Sequence, residues 1–195
     1  MRLAKNSTAW ISVPIFITAL LAAVGNWYAS SVALIGSVFI IFFHRDPDRA
    51  PEGDGMVSPA DGRVLPAEQN KIAVFMGPWD VHVNRAPLSG LVKSVERIKG
   101  GHAPAFLGAS SRNDQNKMLL QTNYGDMEIC QISGSLVRDI ICYVRPGDEV
   151  SRGERIGMVR FGSRVEVTIP PGFEILVENG EKVHAGESII AVKRG

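Results

Sequence analysis

Cysteine is almost absent. Only Cys130 and Cys142 occur in 195 residues, without C-x-x-C spacing. That rules out a disulfide scaffold and leaves no zinc-binding pattern. Each follows isoleucine (Ile129 before one, Ile140 and Ile141 before the other), which reads as a buried free thiol. Charge excess is absent too: 21 basic residues against 20 acidic give a net charge of +1. There is thus no bulk electrostatic case for nucleic acid. No G-x-G-x-x-G opens a helix, so no nucleotide cradle is expected, and no metal site is read. Beyond residue 50, no segment keeps helical periodicity over twelve residues. The length suits one globular domain plus an appendage.

Apolar residues are concentrated at the N-terminus. Ala9–Val24 is apolar apart from Ser12 and Thr18, Trp27–Phe43 is apolar or small, and only Gly25 and Asn26 separate them. Each run is at the short limit for a spanning helix. A cleaved signal peptide would need an A-x-A-like site between the runs, and none is present. The reading is a helical hairpin over 1–43 that either spans the bilayer or dips into one leaflet. Arg2 and Lys5 precede it and Arg45 and Arg49 follow it, which places both ends on the cytoplasmic face. Residues 44–55 are rich in proline, glycine and charge and read as a linker.

The remainder, 56–195, is punctuated by glycine and proline into short strands. These are predicted at 56–58, 62–67, 71–76, 81–84, 90–98, 117–122, 126–132, 136–144, 156–161, 163–169, 173–177 and 188–193. Residues 103–112 form a helical turn or a lid. This predicts a mainly β domain, an antiparallel barrel or folded sandwich. The pattern V-x-x-G-[DE]-x-V-x-x-G-E appears at Val144–Glu154 and again at Val177–Glu187. Glycine turns around a short strand suggest an internal repeat of hairpin-like units, as in lipoyl domains.

Between the copies lies Gly162-Ser163, flanked by Val159 and Phe161 on one side and Val165 and Val167 on the other. It reads either as a turn or bulge or as a self-processing site. In the second case Gly162 leaves its carbonyl open to approach and Ser163 supplies a neighbouring hydroxyl. An N→O acyl shift would give an ester, and elimination would leave dehydroalanine, which hydrolyses to a pyruvoyl group. Asp61 sits in a P-A-D-G turn that is equally an ordinary hairpin signal. On a strand, Asp80, His82 and Asn84 would share one face. An acid, an imidazole and an amide in register suit proton transfer, although a structural histidine fits as well.

Four stretches occur in order: Ser58–Gly62, Val81–Pro87, Asn113–Asn116 and Arg160–Val165. Together with the hydrophobic pair they resemble the short form of the phosphatidylserine decarboxylase family found in bacteria and archaea. The likeness covers about residues 40–195. Asn113–Asn116 departs from the family's N-E-R-N, with Asp114 for Glu and Gln115 for Arg. The resemblance implies self-cleavage between Gly162 and Ser163, giving a β chain of 1–162 and an α chain of 163–195 that remain together. It implies a covalent pyruvoyl group derived from Ser163. A Schiff base with the substrate amine would release CO2 and turn phosphatidylserine into phosphatidylethanolamine. Asp61 matches the family's relay aspartate and His82 its first histidine. Where longer members carry a second histidine, this chain has Arg85. Either His82 serves processing and turnover alike or Asp61 acts without a histidine; His102 is a third candidate. Arg85, Arg112 and Lys117 are candidates for the substrate phosphate.

Two alternatives stand beside this. One is the same chemistry on an ether-linked lipid, archaetidylserine, since the site sees only the head group. The other is a membrane-anchored lipoyl-like binding module, for which Lys182 is the nearest attachment lysine, without the usual M-K-M or D-K-A context. The expected partners are a membrane phospholipid and the two chains of one precursor, with homo-oligomerisation open.

Overall fold

The computed structural model describes residues 2–66, 70–101, 112–134, 137 and 139–194. His102 and most of the expected turn at 103–112 lie outside these. The chain divides into two units, Met1–Asp48 and Arg49–Gly195, and the division falls inside the expected linker.

The first unit holds β1 (Arg2–Leu3), α1 (Thr8–Ala23), α2 (Trp27–Phe43) and β2 (Arg45–Asp46), with β1 antiparallel to β2. Asn26 stops the chain between the helices and caps α2 by accepting the Ala29 N–H at 3.2 Å. The helix pair is polar inside and apolar outside. Thr18 and Ser37 share a 3.1 Å hydrogen bond, and the Ser30 hydroxyl donates to the Thr18 carbonyl at 3.0 Å. Phe16, Val24, Trp27, Val32 and Ile35 are exposed. Small hydroxyl residues between helices and apolar residues around them are the arrangement lipid favours. At 16 and 17 residues the helices are about 24 and 26 Å long. No helix among the described residues is long and apolar enough to cross a membrane.

Among the described residues, the elements of the second unit are all strands: β3 (Met56–Val57), β4 (Gly62–Val64), β5 (Lys71–Met76), β6 (Val83–Arg85), β7 (Gly90–Ile98), β8 (Gln115–Thr122), β9 (Gly125–Ile132), β10 (Ile140–Cys142), β11 (Glu149–Val150), β12 (Arg155–Val159), β13 (Ser163–Thr168), β14 (Phe173–Ile175), β15 (Lys182–Val183) and β16 (Ile189–Lys193). All pairings between these strands are antiparallel. The largest sheet runs β11-β7-β8-β9-β13-β5-β4-β15, and two three-stranded sheets run β10-β12-β6 and β14-β16-β3. Alternate residues of the long strands (Ile72, Val74, Met76; Met118, Leu120; Val165, Val167) are buried in one core.

The fold is mainly β and antiparallel, but among the described residues no closed barrel forms. The end strands β11 and β15 are two residues each and do not pair with one another. Glycine turns at Gly153 and Gly186, both with positive φ, carry the chain out of this sheet and into the smaller ones. Neither copy of the repeated pattern closes as a hairpin on itself. Each lays its short strand against a strand distant in sequence.

The strand order is mirrored about the β9–β13 pair, and the hydrogen bonds repeat across the mirror. Val150 pairs with Gly90 as Val183 pairs with Gly62. The N–H groups of Gly147 and Gly180 donate to the carbonyls of Val92 and Val64, each at 2.8 Å. Those of Gly153 and Gly186 donate to Ala86 and Ser58, again at 2.8 Å. Arg85 donates to Pro59 and Val57 to Pro87, a reciprocal pair. The unit is thus two equivalent halves that exchange strands.

Candidate functional site

Ser163 opens β13 opposite Met76 of β5 and is fully buried. Its hydroxyl lies 3.9 Å from the Met76 sulfur. The two residues before it are both left-handed, Phe161 at φ 58° and Gly162 at φ 62°. Glycine adopts this freely, whereas a bulky residue such as Phe161 does so only under strain. Gly134 presses on the same turn. A Cβ there would stand 1.7 Å from the Gly162 carbonyl oxygen and 2.8 Å from its carbon. The Gly162 carbonyl is therefore held against bare backbone. Arg160, buried just upstream, pairs with the Asp139 carboxylate and donates its own N–H to the Asp139 carbonyl at 3.0 Å, fixing the approach to the turn.

Asp61 is buried and heavily bonded. Both its oxygens take the Arg49 guanidinium, the second at 2.8 Å, and the Ala185 and Val81 N–H groups donate to it at 2.8 and 3.4 Å. Burial pushes its carboxyl up, but the Arg49 hydrogen bonds, the Ala185 amide and the Arg49 charge outweigh that and hold it below the usual value. His184 Nδ1 is 3.7 Å away. In the sheet, Ser163 stands beside Met76, and the next strand, β4, follows directly after Asp61. Two strand spacings put Asp61 roughly 10 Å from Ser163. Asp61 and Ser163 are in one region but not in direct contact, and Asp61's nearest imidazole is His184, a residue that the motif reading missed.

The expectation that Asp80, His82 and Asn84 share a strand face needs correction. Gly77 and Pro78 end β5, and β6 begins only at Val83. Asp80 lies in the intervening turn, where its carboxylate accepts the Gly77 N–H at 2.9 Å and sits 3.6 Å from Lys182 Nζ. His82 and Asn84 are fully buried. His82 Nδ1 lies 2.9 Å from the Asp80 carbonyl, an acceptor only, so this nitrogen carries the proton and Nε2 is the basic one. The His82 carbonyl accepts the Val159 N–H, tying it to the strand that leads into Ser163.

The three phosphate candidates do not form one cluster of available cations. Arg85 is buried, donates to the Gly153 carbonyl at 2.9 Å and lies so close to Gly186 that a Cβ there would come within 2.5 Å of its side chain. It bridges the two glycine turns. Lys117 points outward from β8, 3.8 Å from Glu128, while Asn116 and Met118 beside it are buried. Arg112 is exposed, and its carbonyl accepts the Gly101 N–H. Sequence reasoning also missed Arg49, Gly134 and Gln131. Gln131 is fully buried on β9 and donates to Asn84 at 2.7 Å. None of these carries a local motif; each acts on a residue far along the chain.

The family model described as phosphatidylserine decarboxylase matches residues 66–191. A Methanosarcina barkeri protein provisionally named archaetidylserine decarboxylase proenzyme is 44% identical, over 97% of this chain and 98% of its own. A Methanococcoides burtonii protein with the same provisional name is 43% identical over 98% and 97%. The phosphatidylserine decarboxylase proenzyme of Thermobifida fusca is 42% identical over 96% and 91%. A chain that aligns end to end with such proenzymes belongs to the phosphatidylserine decarboxylase family.

Proposed function

We propose that this chain is a proenzyme that cuts itself between Gly162 and Ser163 and then decarboxylates phosphatidylserine to phosphatidylethanolamine, releasing CO2. The observation that carries this is the turn Phe161-Gly162, left-handed at both residues, with its carbonyl held against Gly134 and the Ser163 hydroxyl next in sequence. Strain there is relieved as the acyl group moves from the Ser163 nitrogen to its oxygen. The reading is supported by relatives whose names specify a proenzyme of this activity.

The position left at residue 163 suits a pyruvoyl group. It is fully buried, with a thioether and, through it, the Asn84 amide nearby. Such a group supplies an electron-accepting carbonyl for a substrate amine. His82, its ring fixed by the Asp80 carbonyl, takes up a proton from water at Nε2 and passes it to the carbon that loses CO2. Asp61, held ionised, organises the surrounding turns through the Ala185 and Val81 amides. The fragments stay together because Arg164–Val167 pair with β5 and β9 of the larger one. The helix pair, apolar outside and short of a bilayer core of about 30 Å, enters the membrane as a hairpin with the catalytic unit on the cytoplasmic face. A second reading, the ether-linked serine lipid, is favoured by the names of the Methanosarcina and Methanococcoides relatives.

Intact-mass analysis tests the proposal. Wild type should appear as residues 1–162 and 163–195, and Ser163→Ala as one inactive chain. An uncut wild type that still releases CO2 from lipid would overturn it. Assay of ester and ether serine lipids side by side decides between the substrates.

A further inference from the structure

Three buried amides form a directional chain that ends at the cleavage site. Asn116 Nδ2 donates to Gln131 Oε1 at 2.9 Å, Gln131 Nε2 donates to Asn84 Oδ1 at 2.7 Å, and Asn84 Nδ2 points to the Met76 sulfur at 3.4 Å. All three side chains are fully buried. The Ser163 hydroxyl approaches the same sulfur at 3.9 Å. Each amide fixes the next, so reversing Asn84 would set its NH2 against that of Gln131. A thioether is a weak acceptor. The last donor of the chain is therefore left with a poor partner, on the sulfur that the Ser163 hydroxyl shares, although buried amides are costly unless well bonded.

The other half of the fold does without this chain. Asn84 pairs with Gly157 in β6–β12, and its counterpart Met56 pairs with Ala191 in β3–β16, each beside the same irregularity in register. The mirrored rows Val64-Val74-Val165 and Val92-Leu120-Met127 set Ile169 at the place of Gln131. Met56 and Ile169 are buried and apolar. A Cβ at Gly157, where the other side has Ala191, would meet the Ile141 carbonyl oxygen at 2.6 Å and Gln131 Nε2 at 2.7 Å, so glycine leaves room for both. A stable fold does not require amides at the positions of Asn84 and Gln131; Asn116 alone has an amide as its counterpart, Asn70, which is exposed.

We propose that Asn116–Gln131–Asn84 is a positioning device that presents the Asn84 Nδ2–H to the group at position 163 and, once the chain is cut, holds the carbonyl oxygen there. This rests on the self-cleavage reading above. Asn84 and Gln131 are positioning residues for that carbonyl.

The test uses the full chain. Asn84→Met and the double variant Asn84→Met/Gln131→Ile install the residues of the other half, so the double variant packs even if the single one does not. Both should still yield the two fragments. Mass spectrometry should show the new carbonyl reacting with phenylhydrazine at least 10-fold more slowly than in wild type, and kcat should fall on the order of 10²-fold with KM within about twofold. In wild type, the Asn84 side-chain amide NMR signal, assigned by its loss in Asn84→Asp, should shift between cut protein and uncut Ser163→Ala. Unchanged carbonyl reactivity and kcat in the variants, folded variants that no longer cut, or an unshifted amide signal would each overturn the proposal. A wild type that never cuts would instead sink the self-cleavage reading.

Discussion

Gly134→Ala is the sharpest probe of the strained turn. Gly134 has a backbone that any residue can adopt, so the added methyl acts by volume alone. It would sit 1.7 Å from the Gly162 oxygen, whereas a carbon–oxygen contact settles at about 3.3 Å, so one side must retreat by about 1.6 Å. The atoms in the way are backbone: Gly162 O and C, and Phe161 O, the last two at 2.8 Å. No side chain can swing aside. The carbonyl that the Ser163 hydroxyl must reach is therefore displaced, and a misplacement of about 1 Å costs on the order of 10²-fold in rate. We expect uncut chain to accumulate, with fragment formation slowed by that factor and the fold retained by circular dichroism. Gly36→Ala, which meets nothing within 4 Å, is the control and should cut normally. Cleavage of Gly134→Ala at the wild-type rate would show that the held carbonyl plays no part in processing.

Three further outcomes follow from the charges and thiols. Arg49→Ala leaves the Asp61 carboxylate buried without its guanidinium, and urea unfolding should show a loss of about 3–5 kcal/mol. Because the folded carboxyl of Asp61 lies below its ordinary value, its stabilising contribution is present above that ordinary value and fades as pH falls through the folded one. Asp61→Asn should accordingly lose stability relative to wild type at pH 6, with the gap closing in acid; a constant gap would deny the linkage. Burial, followed by the charge of Glu166, raises the Cys130 thiol to about 12, so iodoacetamide at pH 8 should spare it in the folded protein and label it in urea.

Local patterns made part of this molecule legible. The apolar runs at 9–24 and 27–43 became α1 and α2 within a residue, since length, apolar content and an Asn cap are local properties. Strand β7 at Gly90–Ile98 matched its expected bounds and glycine start. The Gly162-Ser163 step stood out only beside the other motifs, and the structure adds the left-handed turn that leads into it. Asp61 was visible as a motif, but its partner was not. Arg49 looked like one more charge in a proline-rich linker, and only the folded chain brings it onto that carboxylate. Asp80 was misplaced because period two was carried backwards from Asn84 past Val83, where the strand begins. Barrel closure could not be read from strand count, because it depends on whether β11 and β15 meet, and each is too short to reach beyond its glycine turn. Gly134 and Gly157 are glycines for what lies opposite them, and a single sequence does not say what lies opposite.

The mirrored halves show how chemistry can be added to a repeated frame without remaking it. The Ala185 N–H donates to the Asp61 carboxylate at 2.8 Å, and at the equivalent place the Arg152 N–H donates to the Ser89 hydroxyl at 2.9 Å. Both acceptors satisfy the turn, so a neutral hydroxyl is enough for architecture. The half that needs only to fold keeps Ser89, Met56 and Ala191; the half that holds Ser163 has Asp61, Asn84 and Gly157 in their places. Asp61 and Asn84 replace an uncharged or apolar choice with one that must find a partner, and Gly157 leaves room for Gln131, the partner of Asn84. If the frame alone set these residues, Asp61→Ser should leave both stability and cutting intact, because Ser89 already serves the same amide. If the charge is used, Asp61→Ser should fold with the Ala185 bond preserved, release Arg49, and lose cutting. Thermal unfolding and intact mass on that one variant separate the two.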